Sequence, residues 1–431
     1  MADEQVPESA WFTYQGGHLA CEDVSLAALA DEVDTPAFVY SGAAIDAAYA
    51  EIDEALDFAP HLIAYAVKAN GNLSLLARLA SQGCGADIVS EGELRRALKA
   101  GFAPDQIVYS GVGKRESEIR AAAEAGVRAI HVENLQELDV VERVAADFGR
   151  PLAIGVRVNP DVDAQTHPYI ATGLRESKFG LSIPTAEAAL PRILESPHLE
   201  LEAVACHIGS QLGSPEPLRE AIEILGRFAT LCLERGAALR AIDVGGGWPM
   251  SYGNENDPYP SARAFGDAIR GGLEAAGALG DDITLVTEPG RALVGDAGVL
   301  LTRVLYTKHQ GEHRFVIVDA AMTELIRPAL YDAYHAIMPV VQSANGAETN
   351  VVDVVGPVCE SGDFIARGRA LPFLEPGDLL AIRGAGAYGR EMQSMYNARP
   401  LPAEVLVDGA RSRVIRRRSG PEALWLGEEL A

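Results

Sequence analysis

No apolar run in this sequence is long enough to cross a bilayer, and the opening Met1-Ala2-Asp3-Glu4-Gln5 lacks both the basic and the apolar region of a secretory signal. Positive charge is in deficit: 36 Lys and Arg stand against 61 Asp and Glu, a formal net charge of -25. That balance opposes binding to nucleic acid or to an anionic membrane surface, while leaving room for a local basic pocket. Cysteine is scarce and odd in number, with Cys21, Cys84, Cys206, Cys232 and Cys359 scattered and no CxxC pair. Reduced thiols in a cytoplasmic protein are expected rather than a disulfide framework or a zinc site, and no metal is expected. Low-complexity tracts and fixed-length repeats are also missing.

What is present is ample apolar content, 48% of 431 residues, enough for one large domain and a smaller one. From Ser41 onward, β-rich apolar runs alternate with alanine-rich segments of helical period. Strands are predicted at Leu62 to Val67, Ala86 to Val89, Ile107 to Tyr109, Ala129 to Val132, Leu152 to Val158, Ala203 to His207, Ala241 to Val244 and Thr284 to Thr287. Eight βα units over roughly 250 residues point to a TIM (β/α)8 barrel. Helices over Glu91 to Ala100 and Ser117 to Ala125 stop at Gly101 and Gly126. After about residue 300 the texture turns to strands and turns, with one helical piece near Pro328 to Ala336. The expected organisation is α/β: a barrel over 41–300 and a mainly β, sandwich- or barrel-like domain over 301–431, joined by the N-terminal segment 1–40 through its strand Ala37-Phe38-Val39-Tyr40.

Chemistry in such a barrel collects at the C-terminal ends of the strands. Those positions hold Lys68, Asp87 and Ser90, Asn159, His207-Ile208-Gly209-Ser210-Gln211, Gly245-Gly246-Gly247 and Glu288-Pro289-Gly290-Arg291. Taken singly, each has an ordinary explanation, a solvated Lys, a core His or a glycine turn; their convergence on one rim is what carries weight. The glycines lack both the Lys-Ser/Thr of a P-loop and GxGxxG spacing, yet fit a phosphate cradle after the seventh strand. An anion site, an amine and a carboxylate together match the needs of pyridoxal phosphate.

In order and spacing, Tyr65-Ala66-Val67-Lys68-Ala69-Asn70, His207 to Gln211, Gly245 to Gly247, Glu288 to Arg291, Gly356-Pro357-Val358-Cys359-Glu360-Ser361-Gly362-Asp363 and Gly386-Ala387-Tyr388 resemble the motif series of the fold-type III PLP-dependent decarboxylases. Asn159 to Asp163, His167 to Gly173 with Ser177 to Gly180, and Leu325 to Tyr331 resemble the branch acting on meso-2,6-diaminopimelate. The resemblance implies pyridoxal phosphate on Lys68, with Asp87, His207, Ser210, Gly245, Gly246, Gly247, Glu288, Gly290, Arg291 and Tyr388 around it. It implies substrate binding by Arg291, Arg327, Tyr331, Glu360 and Tyr388, and catalysis by Lys68, His207 and the proton donor Cys359. The implied reaction yields L-lysine and CO2, the last step of lysine biosynthesis, in a homodimer whose subunits share sites under a lid spanning His167 to Gly180. Ornithine, arginine and carboxynorspermidine remain alternative substrates, and a non-catalytic relative remains an alternative to an enzyme.

Overall fold

The computed structural model describes residues 9–164, 173, 177–253, 259–280, 282–344 and 348–430. The chain divides into two compact units, one of Ala48–Pro249 and Tyr259–Ala292, the other of Met1–Ala47, Met250–Pro258 and Leu293–Ala431.

In the first unit, eight parallel strands follow chain order: His61–Ala66, Gly85–Ile88, Ile107–Tyr109, Ala129–Val132, Leu152–Asn159, Leu199–Ala205, Ala241–Asp243 and Thr284–Thr287. Each pairs with the next, and the eighth pairs with the first, so the predicted barrel closes. The sixth strand begins four residues before its expected start because Glu200 and Glu202 interrupt its apolar pattern. Glu202 is nevertheless buried, with Arg128 at 3.5 Å and Arg240 at 3.7 Å. Leu62, Ala64, Val108, Ala203, Ala241 and Val286 cluster as a buried core. The helix Glu91–Ala100 starts where Ser90 Oγ accepts the Glu93 N–H and ends at Gly101, whose φ of 100° is left-handed. Ser90 is therefore a helix cap, a role worth about 1 kcal/mol, rather than a rim ligand.

The second unit is mainly β. Its main sheet runs Phe364–Pro372, Thr349–Val355, His313–Val318, Gly298–Gln310, Ala37–Ser41, Ala403–Asp408, Arg411–Arg416. The N-terminal strand thus lies inside a sheet built otherwise from the C-terminal part, antiparallel to Gly298–Gln310 and parallel to Ala403–Asp408. All five of its residues are buried, which explains its uniformly apolar start. Two features were not expected: a small sheet of Phe12–Gln15, His18–Cys21 and Val24–Ser25, and the helix Leu26–Val33 after it. The helical piece near 328–336 is shorter than predicted, Arg327–Tyr331, and stops at Asp332, whose φ is 52°. Among the described residues, no helix is long and apolar enough to cross a membrane.

Candidate active site

Every barrel strand delivers a polar side chain at or near its C-terminal end. The first strand gives way to a 3-10 turn, Val67–Ala69, that carries Lys68. Lys68 Nζ donates to Asp87 Oδ2 at 2.7 Å; the lysine side chain is 40% exposed and the aspartate fully buried. That amine is less withdrawn from water than a barrel-mouth position implies, and a carboxylate orients it. Beyond the third strand, Ser110 Oγ lies 3.3 Å from His131 Nδ1 on the fourth and donates to Glu288 Oε1 at 3.2 Å beyond the eighth. Asp243, closing the seventh, shares a hydrogen bond with Glu288. Arg157, on the fifth, donates to Glu133 Oε1 at 2.9 Å, and Glu133 also accepts the N–H groups of Gly111 and Gly180.

The charges are frustrated by burial. Glu288 is held well above the usual carboxylate range by burial first, then by the negative charges of Asp243 and Asp87, with Lys68 and Arg157 opposing. Burial also pushes Asp243 up to about 7. His131 is pushed down to about 3 by burial, then by Lys114, Arg157 and Arg128. His207 is pushed well down too, by burial and then Arg157 and Lys68, and its Nδ1 accepts the Gly246 N–H at 3.0 Å. A ring nitrogen that accepts from an amide has no proton of its own, so His207 is a neutral imidazole carrying hydrogen on Nε2.

The glycine loop serves the chain before it serves any anion. Gly245 N–H donates to Asp243 Oδ1 at 2.9 Å, and Gly246 N–H serves His207. A Cβ on Gly246 would lie 2.4 Å from the Glu288 carbonyl oxygen, which is why only glycine fits. Gly247, at φ +98°, is partly exposed, and among the described residues its N–H has no acceptor. Nearby chemistry includes Ser210 Oγ, which accepts from Arg291 Nη2 at 3.0 Å. Gly290 packs where a Cβ would come within 3.0 Å of Ala66 and Ala69.

In the second unit, Arg327 and Tyr331 open and close one short helix. Arg327 is buried, its guanidinium 4.5 Å from the Tyr252 ring centroid and Nη1 3.0 Å from His335 Nε2. Cys359 and Glu360 are exposed, whereas the other four cysteines are buried. The Cys359 N–H donates to Asn397 Oδ1 at 2.8 Å, and Asp363 accepts the N–H groups of Val358 and Met322 at 2.7 Å each. Tyr388 is half-buried at φ 56°.

A family profile described as pyridoxal-dependent decarboxylase, pyridoxal binding domain, matches residues 43–295. The chain is 48% identical over 419 residues to the diaminopimelate decarboxylase of Pseudomonas aeruginosa, covering 97% of this chain and 99% of that one. The chain belongs to the diaminopimelate decarboxylase family. Among solved members of this family, the Helicobacter pylori enzyme complexed with L-lysine superposes with a TM-score of 0.88 at 42% identity, covering 93% of this chain and 98% of that chain. The M. jannaschii enzyme superposes at 0.92 and 34%, covering 98% of each. As a member, the protein is a pyridoxal-phosphate-dependent carboxy-lyase.

The barrel mouth fits the family's cofactor. It combines an accessible amine at Lys68, the Glu288 carboxyl held well above the usual carboxylate range by burial, and the Ser210–Arg291 hydroxyl-guanidinium pair. Asp87 Oδ1, His131 Nε2 and Asp243 Oδ2 are buried there without hydrogen-bond partners. His131, Asp243 and Glu288 also bring one ligand atom each within 4.8 Å of one another, the spacing of a metal group. Ser110 bridges His131 Nδ1 and Glu288 Oε1, and Asp243 hydrogen-bonds Glu288, while His131 Nε2 and Asp243 Oδ2 stay 3.9 Å apart. Ser110, His131, Glu133, Arg157 and the side chain of Asp243 escaped the reading of the sequence. The first four sit at or just beyond the ends of the third, fourth and fifth strands, and Asp243 closes the seventh beside the glycine run. Asn159, taken from the fifth strand instead, accepts the Asp161 N–H at 2.9 Å and shapes a turn. Most of the His167 to Gly180 lid lies outside the described residues.

Proposed function

We propose that the chain decarboxylates meso-2,6-diaminopimelate at its D centre, giving L-lysine and CO2. The observation that carries this assignment is the meeting of the Lys68 amine, oriented by Asp87, with the Glu288 acid across one barrel mouth. When bound, pyridoxal phosphate supplies the electron sink that makes loss of CO2 accessible. Lys68 Nζ is the attachment point, and Asp87 Oδ2 aims it. Glu288 would pair with the pyridine nitrogen, a place for which a carboxyl raised by burial is suited because it can hold or yield a proton. His207, neutral and pinned by Gly246, offers a flat face. Ser210, Gly247, Gly290 and Arg291 would hold the phosphate, and Tyr388 from a second copy would add a hydroxyl.

For the substrate, Arg327 and Tyr331 with Arg291 bind the carboxylate that is retained, as a guanidinium fork can. Glu360 takes the distal ammonium, and Cys359 donates the proton that replaces CO2. Cys359, Glu360 and Tyr388 act in the site of a second copy, making a homodimer with shared sites; the exposure of Cys359 and Glu360 in the single chain supports this. Five free thiols support a cytoplasmic setting. Product analysis decides the substrate: lysine and CO2 should form from meso-diaminopimelate, and faster turnover of ornithine, arginine or carboxynorspermidine would refute it. Mixing Lys68→Ala with Cys359→Ala subunits should restore part of the activity. Reassembled mixtures with none would sink the shared site.

A further inference from the structure

We propose that His335 is the positioning residue that sets Arg327 for substrates carrying a second carboxylate, so that it governs substrate selection without touching the reacting atoms. This rests on the carboxylate-binding role proposed above for Arg327.

His335 is fully buried. One ring nitrogen, Nδ1, lies 2.7 Å from the Arg383 carbonyl oxygen, and the other, Nε2, lies 3.0 Å from Arg327 Nη1. A carbonyl only accepts and a guanidinium only donates, so Nδ1 must carry the hydrogen and Nε2 the lone pair. The imidazole therefore relays orientation from backbone to side chain. Its backbone anchor is rigid: Arg383 N–H donates to the Ala336 carbonyl at 2.9 Å, at the end of the antiparallel pairing of Ile337–Pro339 with Leu379–Ile382.

Tyr252 supplies the second constraint. Its ring meets His335 edge-on at 5.0 Å between centroids, and its face lies under the Arg327 guanidinium at 4.5 Å. Gly384 makes the approach possible, since a Cβ there would sit 2.7 Å from Tyr252 Cδ1. A guanidinium held through one Nη and through its face has its plane fixed, and a planar fork discriminates a carboxylate only when that plane is fixed. Arg327 with a loose plane would still attract anions but would lose bidentate geometry.

Two substitutions separate positioning from support. In His335→Asn the amide reaches only the Nδ1 position, keeping the bond to Arg383 and losing Arg327; in His335→Gln the amide oxygen reaches the Nε2 position and can accept from Arg327. Steady-state kinetics with meso-diaminopimelate on the holoenzymes should show KM raised about ten- to a hundredfold in His335→Asn, with kcat within about threefold. His335→Gln should return KM to within about threefold of wild type. Equal KM values in both variants, or loss of folded, cofactor-bearing protein in both, would overturn the proposal and leave His335 a structural residue. Arg327→Lys run alongside keeps the two ideas apart. An unchanged KM there refutes the carboxylate role of Arg327 itself, whereas a raised KM with a wild-type His335→Asn refutes only the positioning.

Discussion

Asp243→Asn in the cofactor-free protein gives a test of the barrel mouth with its sign and size set in advance. The Asp243 carboxyl is pushed up to about 7, by burial above all; the Gly245 N–H opposes this, the Asp87 charge adds to it, and Glu288 and Arg157 oppose it. A carboxyl whose folded value lies above its unfolded one stabilises the fold fully below about pH 4 and loses that contribution as the pH rises through the folded value. Raising Asp243 to about 7 corresponds to roughly 4 kcal/mol lost by pH 8. Asparagine stays neutral at every pH and keeps an oxygen for the Gly245 N–H, so it removes the charge; it also relieves the charge that raises Glu288, which favours the variant further as pH rises. His131, pushed down to about 3, works in the opposite sense: its contribution is present above about pH 6.5 and lost as pH falls. It is common to both proteins and cancels in their difference.

The variant should match wild type near pH 4 and exceed it by about 2 to 4 kcal/mol at pH 8, several degrees in the barrel's midpoint. Trp248 is a suitable reporter, buried in the barrel unit with Nε1 donating to Thr287 Oγ1 at 2.8 Å and its ring 5.3 Å from Phe265. Replacing Trp11 and Trp425 by Phe in both proteins leaves the fluorescence to it alone, and thermal melts from pH 4 to 8 then follow that unit. A pH-independent difference, or a wild type that gains on the variant toward pH 8, would refute the buried-carboxylate account.

Gly246→Ala should destabilise the barrel by about 1 to 3 kcal/mol and abolish the bound-cofactor absorbance, because the new methyl meets the Glu288 backbone at 2.4 Å and neither chain can yield; a yellow, wild-type-stable protein would contradict this. Asp363→Asn leaves one carboxamide oxygen for two N–H donors, Val358 and Met322, at a cost of about 1 to 3 kcal/mol. Hydrogen exchange should quicken over Gly356 to Asp363 and kcat should fall with it, since Cys359 rides on that loop; unchanged exchange would show that Asp363 does not hold it.

The sequence alone determined much of the fold, because the signals for it are local. Alternating β-rich runs and alanine-rich helices, with glycine stops at Gly101 and Gly126, specify successive βα units, and a right number of those closes a barrel. It also carried Lys68, His207, Gly245 to Gly247 and Glu288 in recognisable runs. Tertiary structure alone decided what surrounds them. Ser110, His131 and Asp243 meet Glu288 only when the third, fourth and seventh strands come round to the eighth. The first two glycine amides turn out to serve Asp243 and His207, which no spacing rule foretells. The place of Ala37–Ser41 between Gly298–Gln310 and Ala403–Asp408 pairs residues more than 250 positions apart. His335 meets Arg327 only eight residues away in sequence, yet through an orientation set by the Arg383 carbonyl. Local periodicity depends on neighbours along the chain and can be read from it. Burial, proton sharing and side-chain aim depend on neighbours in space, and those exist only once the chain has folded.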